Sequence, residues 1–253
     1  MNEQPPLSTP EAGPVSQPVR VALPSSAPYV TYAIIGVTVV FYLLQLATDL
    51  LLGYDIPVLL FIKSNDLIRS GQVWRLLTPA LLHGSLAHIG FNMYALFSFG
   101  ASLERYFGHK RFLLLYAIGA FTGNVASFIM TDANSLGAST AIFGLIAAEG
   151  VFLYQNRKMF AGQFRSAISN IIFVAAINLF VIGSLPGIDN WGHIGGLLGG
   201  LAFTWFAGPL WEVESNLVGG FQLIDRRPAR EIAIGAAVVL SVFGALALWG
   251  IVR

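Results

Sequence analysis

The chain has 253 residues, of which 55% are hydrophobic and only 11% charged, and its mean hydropathy is +0.70. Soluble domains carry about 25% charged residues, so the composition excludes an ordinary soluble domain and indicates an integral membrane protein. A formal net charge of +1 argues against a nucleic-acid partner, and the lack of cysteine excludes disulfides and thiolate metal sites.

Residues 1–28 are rich in Pro and Ser and lack a basic segment followed by an apolar core. They read as a disordered tail, not a signal peptide. A helix needs about 20 apolar residues to cross the hydrocarbon layer. Seven stretches reach or approach that length: 29–52, 86–103, 112–131, 137–154, 168–184, 190–208 and 231–251. These runs are too long for the ~10-residue strands of a membrane barrel. The predicted fold is therefore all-α, a polytopic membrane helical bundle of about seven transmembrane helices.

Between the first two spans, the stretch 53–85 is apolar but interrupted ("DIPVLLFIKSNDLIRSGQVWRLLTPALLHG"). It predicts an interfacial or re-entrant segment packed on the bundle. Residues 209–230 read as a cytoplasmic linker to an additional C-terminal transmembrane helix in 231–253. If the N-terminus is inside, ten of the 14 Lys and Arg fall in inside segments. That bias predicts a cytoplasmic N-terminus and an odd number of spans.

Polar groups inside a membrane bundle are functional hypotheses by default. Three clusters stand out: "HGSLAHIGFN" with His83, His88 and Asn92; "GAST" with Ser139; and "NWGHIGGLLGG" with His193. In the N-in topology all three fall at one depth on the outer side. His88 and Asn92 are four apart and share a helix face. A hydroxyl, an imidazole base and side-chain donors are the set that nucleophilic acyl transfer needs. Each residue has a plainer reading. Ser139 at a helix start is an N-cap, a histidine near the interface packs or snorkels, and the glycines make close helix contacts. Three histidines also suggest zinc, but there is no H-E-x-x-H, so no metal or other cofactor is predicted. A transporter would place polar groups at the midplane and repeat its segments; these clusters are shallow and no clear repeat is present.

The residues from about Val73 to Phe206 resemble the rhomboid family of intramembrane serine proteases. The resemblance rests on "WRLLTPALLHGSLAHIGFNMYAL" with its H-x-x-x-N, on "LERYFG", on "GAST" and on "GHIGGLLGG". It implies a six-helix catalytic core, taken here as 29–208, with a Ser–His dyad and no acid. It implies Ser139 as nucleophile and His193 as general base. Asn92 and His88 match the oxyanion-stabilising side chains. Phe143 matches an aromatic packed on the base, Gly137 a glycine near the oxyanion site, and Gly196 a glycine that lets the sixth span pack on the fourth. Arg75 and Glu104 match polar positions that hold the first outer loop and helix ends. The implied activity is endoproteolysis of transmembrane segments of membrane proteins; the N-in topology suggests a bacterial inner membrane, with the site opening outward. The sequence departs from the family at Thr140, where the pattern has glycine. If that position needs positive φ, a β-branched residue is strained, and the chain is then an inactive relative that binds transmembrane segments without cutting them. If it is an ordinary first-turn residue, the cost is a few tenths of a kcal/mol, about the spread of helix propensities.

Overall fold

The computed structural model describes residues 27–160, 162–215 and 221–253. The predicted tail lies outside these residues except for its last two. Helix α1 (Tyr29–Leu52) is followed by the first loop, which contains α2 (Ile56–Phe61), α3 (Asn65–Arg69) and two 3-10 turns, Val73–Leu76 and Thr78–Leu81. Helix α4 (Leu86–Ala95) passes through a π-helical segment, Leu96–Gly100, into α5 (Ala101–Phe107). Then come α6 (His109–Met130), α7 (Ser139–Gln155), α8 (Phe164–Ala176) with its π-helical extension Ile177–Ile182, and α9 (Asn190–Ala207). Strands β1 (Trp211–Ser215) and β2 (Phe221–Asp225) precede α10 (Ala229–Val252).

All seven predicted stretches are helical. Among the described residues, four helices are long and apolar enough to cross a membrane by themselves: α1, α6, α8 with its extension, and α10. Helix α7 is a shorter apolar helix. Burial divides the molecule into a centre and a surround. Helix α6 buries 67% of its most apolar window inside the protein, against 17% for α1, 6% for α8 and 22% for α10. The centre is α6 packed on α7 and α9.

Glycine makes that centre possible. A Cβ at Gly200 would fall on the backbone of Gly144, and one at Gly196 on the carbonyl of Thr140. Helices α7 and α9 therefore meet backbone to backbone, the small-residue packing that substitutes for a hydrophobic driving force inside lipid. Leu145, Ile146 and Phe203 fill the spaces beside this seam, each 4% exposed or less.

The first loop is folded, not slack. Arg75 donates to the carbonyls of Leu59 (2.7 Å) and Ile62 (2.8 Å), and Trp74 to that of Leu60 (3.2 Å). At the opposite end of the bundle Glu104 caps α1. It accepts from Val30 N (2.9 Å) and Thr31 N (2.7 Å), amides that the helix start leaves without partners, and from the Thr31 hydroxyl (2.6 Å).

The stretch 209–230, expected as linker, contains a hairpin. Its strands pair antiparallel from Trp211↔Asp225 to Ser215↔Phe221. Asn156, just past α7, holds it by accepting from Trp211 N (2.8 Å) and donating to Pro209 O (3.0 Å). Arg111 of α6 adds an ion pair to Asp225 at 2.9 Å. Short alternating strands around a loop carry a weak sequence signal, which is why composition alone read as linker.

Candidate active site

Ser139 opens α7, and the cap position before it is Ala138, which makes no side-chain cap bond. The Ser139 hydroxyl is not spent on the helix start. It lies 2.9 Å from Nε2 of His193, which α9 presents in its first turn. Phe143, one turn along α7, stacks on the His193 ring with centroids 4.3 Å apart and planes 14° from parallel. The ring is thereby held against α7, with Nε2 toward the serine. His193 is 7% exposed, and its Nδ1 has no hydrogen-bond partner in the protein. Asp189, four residues before, uses one oxygen to cap α9 through Gly192 N at 3.0 Å.

The residues before Ser139 are shaped by Gly137, whose φ of +134° is open to glycine and strained for other residues. Its N–H donates to Pro79 O in the first loop at 2.9 Å. A side chain there would also collide with His88: an added Cβ would stand 2.8 Å from His88 Nε2 and 3.6 Å from Ser139 Oγ. The imidazole of His88 and the serine hydroxyl thus border the same small volume. Asn92, on the same face of α4 as His88, is 7% exposed, and its Nδ2 is buried without a partner. Such an amide is a donor waiting for an acceptor. The His83 ring meets that of His88 edge-on at 5.0 Å.

Thr140 is the second residue of α7, and no non-glycine residue among those described has positive φ. Its side chain points at two glycines of other helices. A Cβ at Gly123 would stand 2.5 Å from the Thr140 Cβ, and one at Gly192 3.1 Å from its Cγ2. The extra bulk relative to glycine is therefore taken up by α6 and α9, away from a strained backbone.

Three residues that matter for this geometry escaped the sequence reading. Lys63 is fully buried in the first loop. It donates to Thr131 O (2.9 Å) and Ala133 O (2.8 Å), and its own backbone pairs with Ser135. Asn65 donates to Phe128 O (3.2 Å) and Thr131 O (3.0 Å). Together they hold the segment that ends at Ser139. Gln45 of α1 does the same for α4 by exchanging two bonds with the His83 backbone, at 3.0 and 3.1 Å. The available signal was a polar side chain inside an apolar run, "LLFIKSN" and "YLLQLA". Burial pushes the Lys63 ammonium down from its ordinary value to about 8, with Asp189 and Asp132 opposing the shift.

Residues 70–210, more than half of the chain, match the family model described as the Rhomboid domain. The chain belongs to the rhomboid family. It is 48% identical over 138 residues to Rhomboid protease GluP of Bacillus subtilis (strain 168), an alignment covering 54% of this chain and 27% of that protein. It is 35% identical over 187 residues to RHOMBOID-like protein 6, mitochondrial, of Arabidopsis thaliana, covering 71% and 60% of the two chains. RHOMBOID-like protein 9, chloroplastic, from the same plant is 32% identical over 163 residues, covering 64% and 37%. The rhomboid chain thus spans less than two thirds of each of these relatives. The matched region takes in α4 to α9 and the second half of the loop before α4, with its two 3-10 turns, but not α1, α2, α3 or α10.

Proposed function

We propose that this chain is an intramembrane serine endopeptidase that cleaves transmembrane segments of other membrane proteins. The observation that carries the reading is the 2.9 Å contact between Ser139 Oγ and His193 Nε2, with the serine free of any capping duty. In the proposed reaction His193 Nε2 takes the hydroxyl proton as Ser139 Oγ attacks the scissile carbonyl carbon. The carbonyl oxygen becomes an oxyanion. It is met by the Asn92 amide, the His88 imidazole and the Ser139 N–H, one of the first-turn groups that a helix leaves unpaired. His193 then gives its proton to the amine as the C–N bond breaks. A water, deprotonated by His193, attacks the acyl-serine ester, and the Ser139 oxygen leaves with the proton back on it.

A substrate helix must unwind locally before its carbonyls are accessible. Gly, Pro or polar residues near the scissile bond lower that cost. The small residues around the nucleophile, Gly137, Ala138 and Ala141, favour small side chains at the bond. The positive-inside bias supports a cytoplasmic N-terminus with the site opening to the outer side, in a bacterial inner membrane. The rival reading, a non-cutting binder of transmembrane segments, depends on strain at Thr140; the ordinary helical backbone there favours the enzyme.

The test is labelling by a fluorophosphonate together with cleavage of a reporter transmembrane segment. Wild type and Thr140→Gly are expected to label and cut. Ser139→Ala and His193→Ala are expected to fall by roughly 10⁴-fold or more. A wild type that neither labels nor cuts, beside a Thr140→Gly variant that does both, would establish the binder instead.

A further inference from the structure

A cavity of about 590 Å³ lies away from the dyad, between α1, α6 and the Leu77–Leu81 stretch of the first loop, which holds the second 3-10 turn. Ala33 and Val37 form one wall, Leu113 and Ala117 the other, and Leu77 and Leu81 lie across one end. Its surface is wholly apolar and it is not fully enclosed. Water inside would find no polar partners. An empty void of this size would leave its lining without dispersion contacts. In the hydrocarbon layer, the material available to fill it is acyl chain.

The dimensions fit that occupant. From Tyr29 to Val37 the groove follows α1 for about 12 Å by helix rise, close to the ~15 Å of one leaflet's hydrocarbon. Its deep end is closed by the loop. Its shallow end is fixed by Tyr29, whose ring lies 5.8 Å from that of His109 at the start of α6. Here the next residue matters. Lys110 is exposed, and it lies three residues before Leu113 and seven before Ala117, hence on the groove face of α6. That spacing puts Lys110 toward the end of the groove that Tyr29 and His109 mark.

We propose that this groove binds one acyl chain of a phospholipid whose phosphate pairs with Lys110, and that the chain supports the loop above the groove. The support reaches the serine by a short route. The Thr78–Leu81 turn that covers the groove includes Pro79, whose carbonyl accepts from Gly137 N at 2.9 Å, two residues before Ser139.

The test is lipid retention by native mass spectrometry of the full chain in mild detergent. The probes are dioleoylphosphatidylglycerol and dioleoylglycerol, which share acyl chains and differ in the phosphate. Wild type is expected to retain one phosphatidylglycerol. Ala33→Phe with Ala117→Phe, which fills the groove, is expected to lower retention of both probes about tenfold by displacing chain contacts. Lys110→Ala, an exposed and structurally mild change, is expected to lower phosphatidylglycerol retention about fivefold, the effect of about 1 kcal/mol per basic residue at an anionic lipid surface, and to leave dioleoylglycerol unchanged. Lipid-stripped wild type is expected to exchange the Gly137 amide hydrogen faster than lipid-loaded wild type. Equal retention by wild type and the filled variant would overturn the proposal. So would retention that emerges only when residues 1–26 are deleted, since the chain's own tail would then be the occupant. None of these readouts requires peptide-bond cleavage, so they stand or fall apart from the protease reading.

Discussion

The central helices and the outer ones meet the membrane in different ways. Helices α1, α8 with its π-helical extension, and α10 are long, apolar and mostly unburied within the protein, with 17%, 6% and 22% of their best windows covered. Apolarity is sufficient to keep them in lipid. Helices α7 and α9 are shorter and touch through backbone, with glycines where side chains would stand. The difference teaches that hydrophobicity places a helix in a bilayer, whereas small residues place it against a neighbour. A serine and a histidine 2.9 Å apart on two helices need the second kind of placement.

The sharpest way to break this contrast is to change glycines of each class alike. Gly200→Leu puts a side chain onto the Gly144 backbone and is expected to cost about 3 kcal/mol or more, the upper range for overpacking. Gly244→Leu in α10 and Gly36→Leu in α1 meet nothing within 4 Å and are expected to stay within about 0.5 kcal/mol of wild type. Steric-trap or denaturant unfolding in a fixed detergent measures all three, and equal costs would dissolve the distinction. Next in size, Asn92→Ala is expected to lower kcat about 10²–10³-fold with little change in stability, because its Nδ2 holds nothing in the resting protein. A turnover assay on a reporter segment checks it.

Lys63 tests whether the first loop belongs energetically to the centre. Its pKa of about 8 in the folded protein lies below its ordinary 10.5. Between those values the unfolded chain holds a proton that the folded chain lacks, so stability rises with pH there, by up to about 3 kcal/mol. Below pH 8 this group contributes no pH dependence. A neutral amine still has donors for Thr131 O and Ala133 O. Unfolding compared at pH 7.5 and pH 10 should show the rise in wild type and its loss in Lys63→Met. The smallest effect is Thr140→Val. It keeps the shape that Gly123 and Gly192 accommodate and removes a buried hydroxyl with no partner. Activity should be retained, and stability should change by about 1 kcal/mol or less, in the favourable direction.

Much of this architecture is legible in the sequence because its signals are local. A 20-residue apolar run announces a span, and H-x-x-x-N announces two side chains on one face. The fit of Thr140 is not local, since the space it occupies is left by glycines on two other helices. Nor are the tasks of Lys63, Asn65 and Gln45, most of whose partners are backbone groups 38 to 70 residues away. A backbone carbonyl carries no residue identity, so no pattern in the sequence marks it as a partner. The same reason hides the contact between Pro79 and Gly137, although both residues are ordinary turn formers.

The cap that Glu104 supplies to α1 also bears on how the chain is made. The amides it accepts, those of Val30 and Thr31, lie 74 and 73 residues earlier. During synthesis the opening turn of the first span lacks this acceptor until the second span has been translated and brought back beside it. A ribosome-bound chain that stops short of residue 104 should therefore show a frayed start to α1, and release of that fraying would time the moment at which two separately inserted helices become one structure.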